Sequence, residues 1–380
     1  MKILIVVTDT NIGGITTSVY NFSNELEKRG HTITFLDFSA KKNNERLNKN
    51  IRQIFLNGRA KHWQLGTKQI KAAPLIKRPF LLGLGLLKKL TIKSGVWDKF
   101  IFKKLQDEYD VAVAFRQCAP CYSFILNKVS AKKKIAFVHG DVDFMGDISS
   151  WQPFMKSFDK IAYVSSAVKE GFIKKYSELK DNAATVYNML DSEKIIALSK
   201  EENPFNFDKT KKNIVTIARI ENSTKQIDWI PLICKELIKK CSQPFHWYVV
   251  GDGPDLENVK KTSEDLATRD FLTFAGAFEN PYKILKDADL FVLPTKTESF
   301  GLVVAEALTL GVPCVVSEYP ALSEILKDGE QGLVAEQTVQ SVAKKIKELF
   351  ENEEKYKTIK KNCEDYEGLN AIAYEQFEKL

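Results

Sequence analysis

The sequence predicts an α/β protein of two Rossmann-like, doubly wound parallel-sheet domains, and three observations carry that expectation. Its 380 residues exceed the size at which a single hydrophobic core usually suffices. Short apolar runs alternate with amphipathic, helix-length segments in both halves, which is the pattern of βαβ units. A largely polar stretch containing Glu201-Glu202-Asn203-Pro204 separates the two sets and suits an exposed linker. The expected parts are an N-terminal domain over 1–190, a linker over 191–209, a second domain over 210–360 and a C-terminal helical segment over 361–380.

Residues 3–7 form a short apolar run, Asn11-Ile12-Gly13-Gly14 a glycine turn, and 15–29 an amphipathic helix with Val19, Phe22 and Leu26 on one face. Gly30-His31 ends that helix, and 32–38 alternates as a second strand, completing a βαβ unit. A further apolar strand over 134–138 runs into His139-Gly140-Asp141. The second half repeats the scheme: strands at 213–218, 247–250, 272–275 and 290–293, with helices at 227–240, 256–266 and 281–286 between them. A helix starts at Leu302, and Gly311-Val312-Pro313-Cys314-Val315-Val316 reads as a turn and the next strand. Residues 352–380 read as helical, with Tyr374 and Phe377 on a face that needs a partner.

Net charge is +7, but thirteen Lys or Arg against the single acid Asp98 lie between Arg52 and Lys104, so the basicity is local. No P-loop occurs, and four histidines without a Cys/His cluster give little for a structural metal. Six scattered cysteines and an N-terminus that enters a strand directly point to a reduced, cytoplasmic protein. Cys118-Ala119-Pro120-Cys121 is a C-x-x-C without a second pair, read as unpaired thiols. The longest apolar stretch, 80–87, is far short of a membrane span.

The chemistry concentrates around Glu298 and Glu306, eight residues apart. Glu298 falls in the loop between the strand at 290–293 and the following helix, where ligands of open α/β sheets collect. Backbone N–H groups of Gly301 and Leu302, at that helix's N-terminus, suit a pyrophosphate. Glu306, one turn further in, can accept hydrogen bonds from a ribose diol, leaving Glu298 to face a transferred sugar. Together with Ser299 and Phe300, this segment resembles the E-x7-E region of retaining glycosyltransferases, notably glycosyltransferase family 4.

That resemblance implies the two-domain GT-B fold, with both domains facing a crevice and the last helix crossing back to the N-terminal domain. It makes Gly13 and Gly14 a donor-contacting loop and sets His139 against the transferred sugar. Arg219 and Lys225 resemble the family's cation pair for the diphosphate, although the spacing is one residue longer and Gln226 stands where a glycine usually follows the lysine. Gly251-Asp252-Gly253-Pro254 is common in the family, and Phe278 is expected near the nucleotide base. Asp141-Val142-Asp143 spells the D-x-D metal motif of the other glycosyltransferase fold. With cations available for the leaving group, no cofactor and no metal are expected.

The expected function is a retaining hexosyltransferase that uses a nucleotide sugar, UDP foremost, and a saccharide or lipid-linked acceptor in bacterial surface-polysaccharide assembly. The expected partners include an anionic membrane surface through 52–104, placing the enzyme peripherally on the cytosolic face, and no nucleic acid. The alternative reading is a sugar-nucleotide epimerase of the same architecture. A nucleic-acid binder fits the local charge but not the apolar residues interleaved with it.

Overall fold

The computed structural model describes residues 1–8, 13–39, 44–56, 65–91 and 96–380, with the side chains at 68–69 and 97–99 left aside. Asn11, Ile12 and Trp63, and the side chain of Trp97, lie outside the described residues. The chain divides into one unit of Met1–Met189 with Ile372–Leu380 and a second of Leu190–Ala371.

The first unit is built on β1 (Lys2–Val7), β2 (Thr32–Asp37), β3 (Arg52–Ile54), β4 (Glu108–Ala114), β5 (Ser130–Val138), β6 (Lys160–Tyr163) and β7 (Ala183–Thr185). All pair in parallel, in the order β3-β2-β1-β4-β5-β6-β7. Ile3, Leu4, Ile5 and Val6 are wholly buried, as a strand covered on both faces requires, which is why β1 reads as a continuous apolar run. The helix Gly14–Lys28 buries Val19, Phe22 and Leu26.

The second unit carries β8 (Lys212–Ile217), β9 (Phe245–Val250), β10 (Leu272–Gly276), β11 (Leu290–Leu293), β12 (Cys314–Ser317) and β13 (Gly332–Ala335), again parallel, in the order β10-β9-β8-β11-β12-β13. Winding reverses between β8 and β11, the switch point beyond whose strand C-termini ligands of such sheets bind. The same reversal falls between β1 and β4 in the first unit.

Two expectations need correction. The segment expected as a linker over 191–209 holds the helix Ser192–Ser199, whose first turn is capped by the Asp191 side chain accepting from the Lys194 N–H at 3.3 Å. The expected C-terminal helix is two: Glu353–Glu364 stays with the second unit, Gly368 at φ 75° breaks the chain, and Asn370–Glu378 follows. Only from Ile372 does the chain join the first unit, where Phe377 packs edge-on against Phe22 with ring centroids 5.2 Å apart. Tyr374 lies under the Arg29 guanidinium and its hydroxyl meets His31 Nε2 at 2.9 Å.

Candidate active site

In the second unit the loops that follow β8 and β11 are tied together. The carbonyl of Thr224 accepts both the Lys296 N–H at 2.8 Å and the Thr295 hydroxyl at 2.9 Å. That bridge brings Lys225, at the end of the short helix Asn222–Lys225, onto Glu298: Nζ and Oε1 form an ion pair between two half-buried side chains. Gln226, next in the chain, stands in the left-handed region at φ 47°, ψ 40°. A glycine takes that conformation at no steric cost, which gives the physical reason for the residue expected there.

Arg219 is held by backbone rather than by side chains. Ile220 N–H donates to the Asp252 carbonyl at 3.0 Å, and Asp255 N–H returns to the Ile220 carbonyl at 3.2 Å. The two loops approach so closely that a Cβ on Gly251 would lie 1.9 Å from the Ala218 carbonyl oxygen, and one on Gly253 2.2 Å from that of Ile220. Gly-Asp-Gly-Pro therefore shapes the arginine's loop. The guanidinium itself reaches solvent, with Nε 3.7 Å from Glu221 Oε2.

The helix Leu302–Thr309 begins at Gly301, whose φ of 103° and ψ of 50° exclude most side chains. A Cβ there would also meet the Tyr319 hydroxyl at 2.0 Å, and that hydroxyl donates to the Phe300 carbonyl at 3.0 Å. Phe300 is buried beneath this turn. The result is a fixed helix N-terminus whose first N–H groups have no carbonyl four residues back. Glu306 lies one turn in and is buried; Oε1 accepts from the Tyr282 hydroxyl at 3.0 Å. Burial pushes its carboxyl up to about 7, and the Tyr282 bond opposes that rise.

In the first unit His139 ends β5, sandwiched between Phe115 and Phe137 at centroid distances of 4.6 and 5.8 Å. Nε2 lies 2.8 Å from the Phe115 carbonyl, which can only accept, so the ring proton sits on Nε2 and Nδ1 is left as an acceptor. Desolvation lowers its pKa to about 4, against the raising effect of the Phe115 bond, so the ring is neutral at physiological pH. Gln117 fixes the backbone by accepting the His139 N–H at 3.3 Å. Gly13 caps the helix Gly14–Lys28, and a Cβ on it would meet nothing within 4 Å.

The residues singled out in the sequence are thus brought together unequally. Lys225 joins Glu298, and Ser299, Phe300, Gly301, Leu302 and Glu306 share one loop-helix junction. Phe278 packs edge-on against Phe205 at 6.0 Å. Asp141 accepts the Asp143 N–H at 2.9 Å, and Asp143 lies 4.0 Å from Lys175, so these carboxylates serve local structure. Among the described residues no group of three or more His, Cys, Asp or Glu side chains is arranged to hold a metal. All six cysteines are free thiols. Tyr282 and Tyr319 were missed by sequence reasoning, since each acts across the fold on a residue 24 or 19 positions away.

Residues 199–365 match the family described as glycosyl transferases group 1. The N-acetyl-alpha-D-glucosaminyl L-malate synthase of Bacillus anthracis is 24% identical over 252 residues, covering 64% of this chain and 64% of that protein. An uncharacterized glycosyltransferase of Methanocaldococcus jannaschii, MJ1178, is 25% identical over 214 residues, covering 55% of this chain and 54% of its own length. The matched stretches thus span less than two thirds of these curated relatives. Among solved structures, a point mutant of S. aureus TarM bound to Fondaparinux, alpha-GlcNAc-glycerol and UDP superposes with a TM-score of 0.71 at 15% identity, covering 100% of this chain and 99% of that one. Anabaena Alr3699/HepE in complex with UDP and glucose gives 0.67 at 17% identity, over 99% and 95%. The chain has the GT-B fold, two parallel-sheet α/β domains like those of these glycosyltransferases.

Proposed function

We propose that this protein is a retaining glycosyltransferase of the family 4 type, moving a hexose from UDP to a saccharide or lipid-linked saccharide in surface-polysaccharide assembly. The observation that carries the proposal is the junction at Glu298–Glu306. It combines an ion-paired carboxylate, a rigid helix N-terminus and a buried second carboxyl within the stretch that matches group 1 glycosyl transferases. In this reading the N–H groups of Gly301 and Leu302, with Arg219 and Lys225, take the diphosphate. Glu306 takes the ribose hydroxyls. Glu298 accepts from hydroxyls of the sugar, which orients the anomeric carbon, and in the first unit the unprotonated Nδ1 of His139 is an acceptor suited to sugar hydroxyls.

The bond from the anomeric carbon to the β-phosphate oxygen breaks as the acceptor oxygen bonds to the same face of that carbon. The acceptor's proton passes to the departing β-phosphate. Negative charge grows on the diphosphate during this step, where Lys225, Arg219 and the helix N-terminus stabilise it. Because these groups are cationic or dipolar, activity is expected to survive EDTA; loss that Mg or Mn restores would assign the leaving group to a metal.

Incubating the protein with UDP-sugars and saccharide acceptors, and following UDP release and product anomeric configuration by NMR, tests the proposal. Retained configuration supports it. Conversion of donor alone into a second sugar nucleotide would make the protein an epimerase, and the absence of UDP binding by calorimetry would overturn the site assignment.

A further inference from the structure

Strand β4 ends at Ala114, and the chain turns through Phe115, Arg116 and Gln117 into the helix Ala119–Lys128. Cys118 is the residue ahead of that helix's first turn, Cys121 completes the turn, and Pro120 lies between them. Three residues along a helix separate two Cα atoms by about 5 Å, inside the span of roughly 4.4–6.8 Å that a disulfide bridges. Cys118 is half-buried, with Sγ 3.7 Å from the Thr8 hydroxyl oxygen. Cys121 is wholly buried, and its Sγ lies 3.3 Å from the Val6 carbonyl oxygen. One sulfur of the pair thus meets solvent and the other waits behind it.

Electrostatics divide the two in the same sense. The hydrogen bond with the Cys121 side chain, helped by the Thr8 hydroxyl and the Arg116 charge, holds the Cys118 thiol below its ordinary range against the raising effect of burial. Burial pushes Cys121 well above that range. Desolvation also raises the remaining four: Cys234 and Cys363 to about 12, with Cys241 and Cys314 moved in the same direction. Thiolate is the form that attacks an oxidant, so reactivity gathers at Cys118.

The loop that ends in this pair also positions His139. The Phe115 carbonyl holds Nε2 at 2.8 Å, and the Gln117 side chain accepts the His139 N–H at 3.3 Å. Both partners come from the three residues before Cys118.

We propose that Cys118 and Cys121 are a reversible, peroxide-sensitive redox pair, and that closing their disulfide shifts the 115–118 loop and with it His139. The Cys118 thiolate attacks one oxygen of hydrogen peroxide; the O–O bond breaks, the sulfur is oxidised to a sulfenic acid, and the departing hydroxide takes up a proton as water. The Cys121 sulfur then attacks the sulfenyl sulfur, forming S–S as S–O breaks, and its proton leaves with the second water. Two thiols and one peroxide thereby give one disulfide and two waters. The effect on turnover, though not the disulfide itself, rests on the glycosyltransferase reading.

Peroxide treatment of the full chain, alkylation of the remaining thiols under denaturing conditions and peptide mapping by mass spectrometry test the pair. Cys118 and Cys121 are expected joined, with Cys234, Cys241, Cys314 and Cys363 alkylated. C121A is expected to stop at a sulfenic acid on Cys118, captured by dimedone, and C118S to leave Cys121 reduced; melting curves establish that each variant is folded. Sugar transfer is expected to fall about a hundredfold on oxidation, the usual consequence of a displacement of about 1 Å in a positioning element. It should return with dithiothreitol and withstand peroxide in C118S. Recovery of both cysteines as alkylated thiols, or oxidation of Cys118 beyond the sulfenic acid while Cys121 stays reduced, would overturn the pair. A disulfide that leaves transfer unchanged, or an equal peroxide loss in C118S, would overturn the link to His139. A disulfide in a chain that transfers no sugar would refute the glycosyltransferase reading and leave the redox pair standing.

Discussion

The two units wind the same way, yet they handle buried ionisable groups in opposite chemical senses. In the first, His139 is a base kept neutral, pinned by a main-chain carbonyl and two aromatic rings. In the second, Glu306 is an acid whose ionisation is delayed to about 7, while Glu298 and Lys225 form an ion pair in the same junction. In the proposed reading, the histidine of the first unit meets neutral hydroxyls, while the second unit meets the diphosphate together with hydroxyls of the ribose and the sugar. Winding decides where a site can form; the side chains that leave the strand ends decide what it can hold.

The sharpest way to break this division is Glu298→Ala. Turnover is expected to fall by about 10²–10³, the usual consequence of losing one positioned polar contact at the reacting centre. UDP affinity should hold, because Lys225 is released to the diphosphate. A parallel loss of UDP affinity by calorimetry would show that the pair binds nucleotide as a unit.

Stability against pH sets the two units against each other. His139 titrates at about 4 in the folded chain against 6.5 unfolded, so its contribution is full above 6.5 and is lost as pH falls through 4. Glu306 titrates at about 7 against 4.5, so its contribution is full below 4.5 and is lost as pH rises through 7. Each amounts to about 3 kcal/mol at most. Denaturant unfolding of His139→Gln should therefore show a weaker acid-side loss than wild type, and Glu306→Gln a weaker loss between pH 5 and 8. Matching slopes in variant and parent would contradict the burial argument.

Gly301→Ala strains a left-handed backbone and crowds the Tyr319 hydroxyl, with an expected cost of about 1–3 kcal/mol in unfolding free energy. The same change at Gly13, φ 158°, meets no neighbouring atom and should carry a backbone cost without the clash, so equal losses at the two positions would show that crowding at Tyr319 adds nothing. Smallest is Tyr282→Phe, expected to weaken UDP by about 1 kcal/mol and to raise the Glu306 pKa further, since one opposing hydrogen bond is gone. Affinity measured from pH 6 to 8 would reveal the displaced titration.

Much of this was readable from sequence where a local signal existed. The run at 290–293, the loop glutamate and the Gly301 junction lie within a dozen residues, so periodicity and turn chemistry alone locate them. Tyr282 on Glu306 and the Thr224 bridge to the Glu298 loop join residues 24 and about 70 positions apart, and no local pattern reports such pairings. The helix Ser192–Ser199 did have a signal, Asp191 ahead of Ser-Glu-Lys, outweighed by the polarity around it. Exposure of the Arg78–Thr91 leucines was out of reach, because apolar periodicity does not tell which neighbour covers a face.

The assignment of Ile372–Leu380 to the first unit has a consequence for synthesis. Phe377, which completes the packing around Phe22, leaves the ribosome only after all of Leu190–Ala371. At ordinary elongation rates that delay is on the order of ten seconds to half a minute. Throughout it, the aromatic cluster at the base of the first helix stands open to water and to chaperones, so the nascent first half must wait for the second to be made before it can close.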